Sequence, residues 1–159
     1  MNTADVRGLV LAGCDIRPLE SGDLPAVLEI ERRGYSHPWS EAVFRDCFRA
    51  DYRLWALLHG GDLKGYAVIS CVVDEAHLMN ICVHPDMRGC GAGRYLLRRA
   101  IAEAVRAGMS RMLLEVRESN ETAARLYERE GFEEIGRRPG YYPAGPLRED
   151  ARVMALRFT

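Results

Sequence analysis

From Met79 to Leu97 the chain reads MNICVHPDMRGCGAGRYLL: an apolar run, a loop with a proline, a glycine cluster, then an amphipathic segment. Ile81-Cys82-Val83 has the character of a buried strand, and the residues after Gly93 repeat with the spacing of a helix. Glycine adopts backbone conformations closed to other residues, so around Gly89, Gly91 and Gly93 the chain can curl until successive N–H groups converge. A helix starting here would normally carry Ser, Thr or Asp to cap its free N–H groups. Glycine leaves those donors open, and the helix dipole adds partial positive charge. Arg88 and Arg94 flank the turn. The segment Arg88-Gly89-Cys90-Gly91-Ala92-Gly93-Arg94 is therefore a candidate anion site, suited to phosphate or pyrophosphate. Its plain alternative is a tight connection that binds nothing.

The remaining elements follow from periodicity and punctuation. Asp15 to Pro18 reads as a first strand. Ser21 or Asp23 caps a helix to Gly34 that buries Leu24, Val27 and Ile30. Ser40 caps a second helix with Val43, Phe44, Cys47 and Phe48 as its apolar stripe. Tyr52–His59 and Lys64–Val73 form a hairpin around Gly60-Gly61. Ala76–Val83 is apolar on both faces, as a central strand would be. The helix after the glycines packs Leu96, Leu97, Ala100, Ile101, Ala104 and Val105, and Gly108 ends it. Arg111–Val116 is a strand, and Asn120 caps a helix with Ala123, Ala124, Leu126 and Tyr127 that Gly131 ends. Phe132–Arg138 and Ala151–Phe158 are the last strands, with Tyr141 to Pro146 a loop between them. The order βααβββαβαββ predicts an α/β sheet, antiparallel in its N-terminal part, with one parallel crossover.

With 159 residues the chain has room for one domain, read as residues 14–159 after a loosely held leader up to Gly13. The net charge of −1 and the absence of a basic block give no reason to expect nucleic acid. No apolar run reaches the roughly 18 residues of a membrane span, and no signal peptide is visible. Five scattered cysteines, with no Cys-x-x-Cys pair, read as reduced thiols of a cytoplasmic protein. The four histidines show no metal-ligand spacing with them, so no metal is expected.

A dinucleotide fold is a rival, because Glu115 lies about 20 residues past the glycines at a strand end, as a ribose-binding acid would. Arg94, however, occupies the place of the third glycine of that motif, and Pro85 to Arg88 make the turn too long. A P-loop is excluded because no Gly-Lys-Ser/Thr follows.

Val83-x-Pro85-x-x-Arg88-Gly-x-Gly91-x-Gly93 resembles the Arg/Gln-x-x-Gly-x-Gly/Ala signature of the GCN5-related N-acetyltransferases (GNAT superfamily). Pro38-Trp39-Ser40, Asp74-Glu-Ala76-x-Leu78-x-Asn80-Ile81, Leu114-Glu-Val-Arg-Glu-Ser-Asn120, Leu126-Tyr127-Glu-x-x-Gly-Phe132, Tyr141-Tyr142-Pro143 and Arg148-Glu-Asp-Ala151-x-x-Met154 resemble the bacterial ribosomal-protein-alanine N-acetyltransferases among them. The resemblance covers almost the whole chain beyond residue 14. It implies a GNAT fold, a mixed sheet of six to seven strands with about four helices. It also implies acetyl-CoA as co-substrate, with its pyrophosphate on the glycine loop.

The resemblance assigns general base to Glu115 and general acid to Tyr127. A partly buried carboxylate suits an α-amine, which titrates near 7.7–8.0 and is partly neutral in the cell. A phenol suits a departing thiolate. Each also has a bland reading: Glu115 as a strand-end partner of Arg117 or Arg125, Tyr127 as a core tyrosine with its hydroxyl at the rim. Asn120 is either only an N-cap or also a contact to the cofactor, and the resemblance supports the second. The backbone of Ile81, Cys82 and Val83 would pair with the pantetheine arm like an added strand, one N–H polarising the thioester carbonyl. Cys82 and Cys90 open a covalent route, with only His84 close to Cys82 in sequence; direct transfer in a ternary complex is preferred.

Trp39, Asp74, Glu75, Tyr141 and Tyr142 are candidates to wall the acceptor groove, the acidic pair drawing a basic peptide tail. The resemblance implies a protein N-terminal alanine as acceptor, on a small-subunit ribosomal protein, and a chain that is a monomer or weak dimer. The alternatives are a small-molecule amine as acceptor, or a non-catalytic acetyl-CoA-binding module.

Overall fold

A computed structural model describes residues 13–159. The expected leader, Gly13 apart, falls outside the described residues. The elements run β1 (Cys14–Pro18), α1 (Leu24–Gly34), α2 (Glu41–Asp46), β2 (Tyr52–His59), β3 (Asp62–Val72), β4 (Glu75–Val83), α3 (Ala92–Arg106), β5 (Arg111–Arg117), α4 (Glu121–Arg129), β6 (Glu133–Ala144) and β7 (Leu147–Arg157). The strands form one mixed sheet in the order β1-β2-β3-β4-β5-β7-β6. Only β4 and β5 run parallel, joined by the α3 crossover.

Alternation along the strands divides the core between two faces. Leu57, Ala67, Ile69, Leu78, Met112 and Leu114 meet Leu96, Leu97 and Ala100 of α3 and Tyr127 of α4. Leu54, Ala56, Tyr66 and Val68 meet Val27 and Ile30 of α1 and Phe44 of α2 on the other face. In β4 the alternation changes phase. Val68 of β3 lies opposite Asn80 and Ile69 opposite Leu78, so Met79 is an extra, bulged residue. Below the bulge Ala76 and Leu78 face α3, and above it Asn80 and Cys82 face α1. That switch is why β4 read as apolar on both faces.

The bulge coincides with a parting of strands. The β4–β5 ladder runs from Glu75/Arg111 to Leu78/Leu114 and stops, although β4 continues to Val83 and β5 to Arg117. Backbone groups of Met79 to Val83 on that side have no strand neighbour.

Three expectations need correction. Neither Ser21 nor Asp23 caps α1 with its side chain: they sit in a 3₁₀ turn, and the Asp23 carboxylate accepts from Arg17 and from the Glu20 N–H. Ser40 does cap α2, accepting from Val43 N–H, but Val43 and Phe48 face outward and only Phe44 and Cys47 of the expected stripe are buried. The segment Tyr141 to Pro146 is not a loop. Tyr142, Pro143 and Ala144 continue β6 against Glu149, Arg148 and Leu147, with the turn at Gly145-Pro146. Proline is tolerated because β6 is an edge strand.

Glu130, just past α4, is nearly buried and accepts from Arg94 Nε at 2.6 Å and Arg98 Nε at 2.8 Å, tying α4 to α3. Burial pushes its carboxyl up, but Arg98 and Arg94 more than offset that and hold it below its ordinary value. A depressed carboxyl stabilises the fold above its unfolded pKa, and that contribution is lost as pH falls through the folded one. Glu130→Ala, which strands Arg98, is expected to cost roughly 3 kcal/mol at neutral pH. Urea unfolding from neutral to acid pH should show the gap to wild type closing as the pH falls below the carboxylate range.

Candidate active site

The glycine turn sits immediately beyond β4. Pro85–Met87 forms a 3₁₀ turn, capped by His84 Nδ1 accepting from Asp86 N–H, and delivers the chain to Gly89 and Gly91. Both adopt positive φ, +77° and +87°, in the left-handed region. Gly91 is the N-cap of α3 and has no side chain to give. Among the described residues, no backbone N–H from Gly89 to Arg94 has a carbonyl partner outside the helix, so these donors stay open. Arg88 is exposed beside them and forms no ion pair among the described residues. Arg94 differs from expectation: its guanidinium is spent on Glu130, and only its main chain faces the turn.

Glu115 stands on β5 just past the last β4–β5 pair. Met112, Leu114 and Val116 point to the α3 face, so Glu115 and Arg117 point to the α1 face. Its side chain is 16% exposed, with Oε2 3.5 Å from His77 Nε2 and Oε1 3.5 Å from Arg138 NH1. The bland pairings with Arg117 or Arg125 are absent. Arg117 instead donates to Glu149 and the Pro143 carbonyl, and Arg125 meets Glu121.

Tyr127 approaches from the opposite face, on α4. Its ring packs edge-on against Phe132 and the residue is 7% exposed. Burial, reinforced by Tyr142 and Cys82, pushes its phenol well above the ordinary range. Burial, with Glu115 and Tyr141 next, pushes Tyr142 up to about 12. A tyrosine in that state is protonated at any physiological pH and can only give a proton. Asn120 caps α4 through Oδ1, which accepts from Ala123 N–H at 3.2 Å.

Cys82 lies on β4 against α1, where a Cβ on Gly34 would come within 2.5 Å of its sulfur. Burial raises its thiol above the ordinary value. A protonated thiol is a poor nucleophile, which weighs against the covalent route. Cys90 is exposed. Among the described residues, no group of three or more His, Cys, Asp or Glu could hold a metal, and no helix is long and apolar enough to cross a membrane.

Sequence reasoning passed over four residues at the parting. Tyr35, at the end of α1, donates its hydroxyl to the Ile81 carbonyl at 2.6 Å. His77 and Arg138 face Glu115. Glu31 is buried and accepts from Tyr66 Oη, Asn80 Nδ2 and Trp39 N–H. The register of a parallel pair would have revealed His77, since it lies opposite Leu113 and shares a face with Glu115; nothing local marks the others. Of the proposed groove walls, Tyr142 lies under the Arg117 guanidinium at 4.5 Å and packs edge-on against Tyr141. Trp39 packs on Phe44. Glu75 is bound to Arg111 and Asp74 to Ser110, and both line a shallow depression of about 430 Å³ that reaches His77.

The site thus combines an open anion nest, an unpaired strand edge, and a carboxylate and a phenol on opposite faces of the gap. The pattern of the acetyltransferase (GNAT) family matches residues 24–132. The chain belongs to that family. It is 43% identical over 141 residues to the [ribosomal protein bS18]-alanine N-acetyltransferase of Escherichia coli K12, covering 89% of this chain and 95% of that protein. The Haemophilus influenzae protein of the same name is 38% identical over 88% of this chain and 96% of its own length. The crystal structure of the ribosomal-protein-S18-alanine N-acetyltransferase from Escherichia coli superposes with a TM-score of 0.87 at 42% identity, covering 92% of this chain and 94% of that one. The chain is thus an N-acetyltransferase with the expected GNAT fold, seven strands and four helices.

The GNAT family uses acetyl-CoA, and the open donors test the fit. A β-branched residue at Gly91 would have to enter the left-handed region at a cost of about 1–2 kcal/mol, or turn the N–H groups aside. Gly91→Val is expected to weaken coenzyme A binding about tenfold in calorimetry. Unchanged affinity would show that the turn does not hold the coenzyme.

Proposed function

We propose that residues 14–159 act as one catalytic unit that moves the acetyl group of acetyl-CoA to the α-amine of a protein N-terminal alanine, on the small-subunit ribosomal protein bS18. The transfer is direct, in a ternary complex, and the enzyme works in the cytoplasm as a monomer or weak dimer. The acceptor follows from the 43% identity over nearly the full length of a relative that bears that name. The observation that carries the chemistry is the parting of β4 and β5, with Glu115 on one face of the gap and Tyr127 on the other.

In this reading the main-chain donors of Gly89, Cys90, Gly91, Ala92, Gly93 and Arg94 hold the pyrophosphate, with Arg88 adding charge. The unpaired edge of Ile81, Cys82 and Val83 receives the pantetheine arm as an added strand. Asn120 has its amide nitrogen left over after capping and can serve the same ligand. Bound acetyl-CoA supplies the activated acetyl thioester. Glu115 takes a proton from the amine, directly or through a water, so that the nitrogen lone pair is free. Tyr127 holds a proton for the thiolate that leaves. Tyr127 is protonated at neutral pH, so its O–H is available to the departing thiolate. The loop between α1 and α2 meets the β6–β7 hairpin above Glu115, where Arg117 NH2 lies 3.4 Å from His37 Nδ1. An extended peptide would enter under that arch.

Glu115→Gln is expected to lower turnover roughly 100-fold or more at neutral pH. The deficit should narrow above about pH 9, where an α-amine is already neutral. A pH-independent ratio of mutant to wild-type rates would remove Glu115 from the base role. The acceptor is tested by thiol release with a peptide bearing a free N-terminal alanine, the same peptide blocked at its N-terminus, and a polyamine. Only the first should turn over, and turnover of the polyamine alone would overturn the assignment.

A further inference from the structure

Glu115 has one neighbour whose chemistry the mechanism above leaves idle. His77 Nε2 lies 3.5 Å from Glu115 Oε2, while Arg138 NH1 lies 3.5 Å from Oε1. One carboxylate oxygen thus faces a group that can accept a proton, and the other faces a guanidinium that cannot. Exposure makes the difference useful. The Glu115 side chain is 16% exposed and that of His77 33%. His77 opens on the depression lined by Ser70, Val73, Asp74 and Leu113, away from the arch where the peptide would enter.

We infer that His77 is a positioning and proton-exit residue: it holds the Glu115 carboxylate toward the gap and relays its proton to solvent while the acceptor covers the direct way out. This rests on the reading of Glu115 as base. The step balances without any further reactant. The amine gives its proton to Glu115, and the resulting carboxylic acid passes it to the lone pair of His77 Nε2. The imidazolium then releases the proton on Nδ1 to water in the depression. Glu115 is again a carboxylate, and His77 is left as the other neutral tautomer. The contact is longer than a hydrogen bond, as such contacts often are before substrates arrive.

The charged and titratable groups that face this pair are few. From β5 there are Glu115 itself, Arg117 two residues on, which Glu149 pairs, and, lower down, Arg111, which Glu75 neutralises. From β6 there are Arg138 and Tyr142. From the β3–β4 turn there is Asp74, bound to Ser110. Of the two side chains within ion-pair distance of Glu115 among the described residues, His77 and Arg138, only His77 has a lone pair to offer.

The test uses the full chain, an N-terminal alanine peptide and acetyl-CoA. His77→Ala and His77→Gln are expected to lower kcat about tenfold while leaving the KM for peptide and the affinity for acetyl-CoA within about twofold. The acidic limb of the pH–kcat profile should move in both variants, and added imidazole should restore part of the rate of His77→Ala only. A rate within about twofold of wild type in both variants, or a loss that imidazole does not repair with an unmoved pH profile, would overturn the inference. Glu115→Gln is measured beside them. If it turns over normally, the reading of the base fails; if it is inactive while the His77 variants behave as wild type, the relay alone fails.

Discussion

A sheet that opens in its middle has to account for the hydrogen bonds it gives up. The β4–β5 ladder ends at Leu78/Leu114, yet both strands continue, and from there the fold is organised around main-chain groups with no strand to meet. The bulge at Met79 turns β4 away from β5 at the same level. The Ile81 carbonyl, left on the open edge, takes the Tyr35 hydroxyl. One element further on, the N–H groups at the start of α3 are also unmet, because glycine at 89 and 91 holds positive φ and gives no cap. Unsatisfied donors and acceptors are costly when buried and useful when a ligand supplies their partners. The gap and the nest are consecutive parts of one such edge.

Something must hold the opening in shape, and the buried Glu31 does so. At 1% exposure it accepts from Tyr66 Oη at 2.5 Å, Asn80 Nδ2 at 2.8 Å and Trp39 N–H at 2.9 Å, with no cation partner among the described residues. Asn80 is the residue after the bulge, and Trp39 opens the approach to α2. One carboxylate therefore fixes the point where β4 bends and the loop that arches over Glu115. Three donors to one buried carboxyl leave neither of its oxygens without a partner, which a buried polar group requires. Trp39, read from sequence as a groove wall, serves this hub through its backbone and Phe44 through its ring.

The parts legible in the sequence were those whose physics is local. Gly91 at a helix start, Ser40 and Asn120 as caps, and Leu96, Leu97, Ala100, Ile101 and Ala104 on α3 each depend on residues within a turn or two and are found in those roles, whereas Val105, expected in the same rows, lies on the exposed side of the last turn. Misreadings arose where distant partners decide. Tyr142, Pro143 and Ala144 look like loop residues, but an edge strand needs hydrogen bonds on one side only, and β7 lies along that side. Arg94 looked like a phosphate ligand until Glu130, far along the chain, took its guanidinium. The plain alternative for Glu115, a pairing with Arg117 or Arg125, does not form; its partners His77 and Arg138 come from two other strands. Phe48 lies beyond the six-residue helix that formed, and Val43 lies on its outer side.

Glu115 and Tyr127 stand on opposite faces of the parted strands, which bears on the direction of proton flow in the proposed reaction. Glu115 faces the α1 side and Tyr127 the α3 side, so they share no hydrogen bond and cannot neutralise one another in the resting protein. Under the proposed roles the amine proton would leave on one face and the thiolate's would come from the other, with a proton from solvent restoring Tyr127 after the thiol departs. Burial enforces the second half: the Tyr127 phenol is held far above its ordinary range, so it cannot compete for the amine proton. The one thiol on the open strand, Cys82, is raised by burial and turned toward α1, which removes the nearest rival nucleophile. Among the described residues Glu115, Tyr127 and a row of main-chain groups are left at the gap, and direct attack by an outside amine, as proposed, is the simplest chemistry they allow.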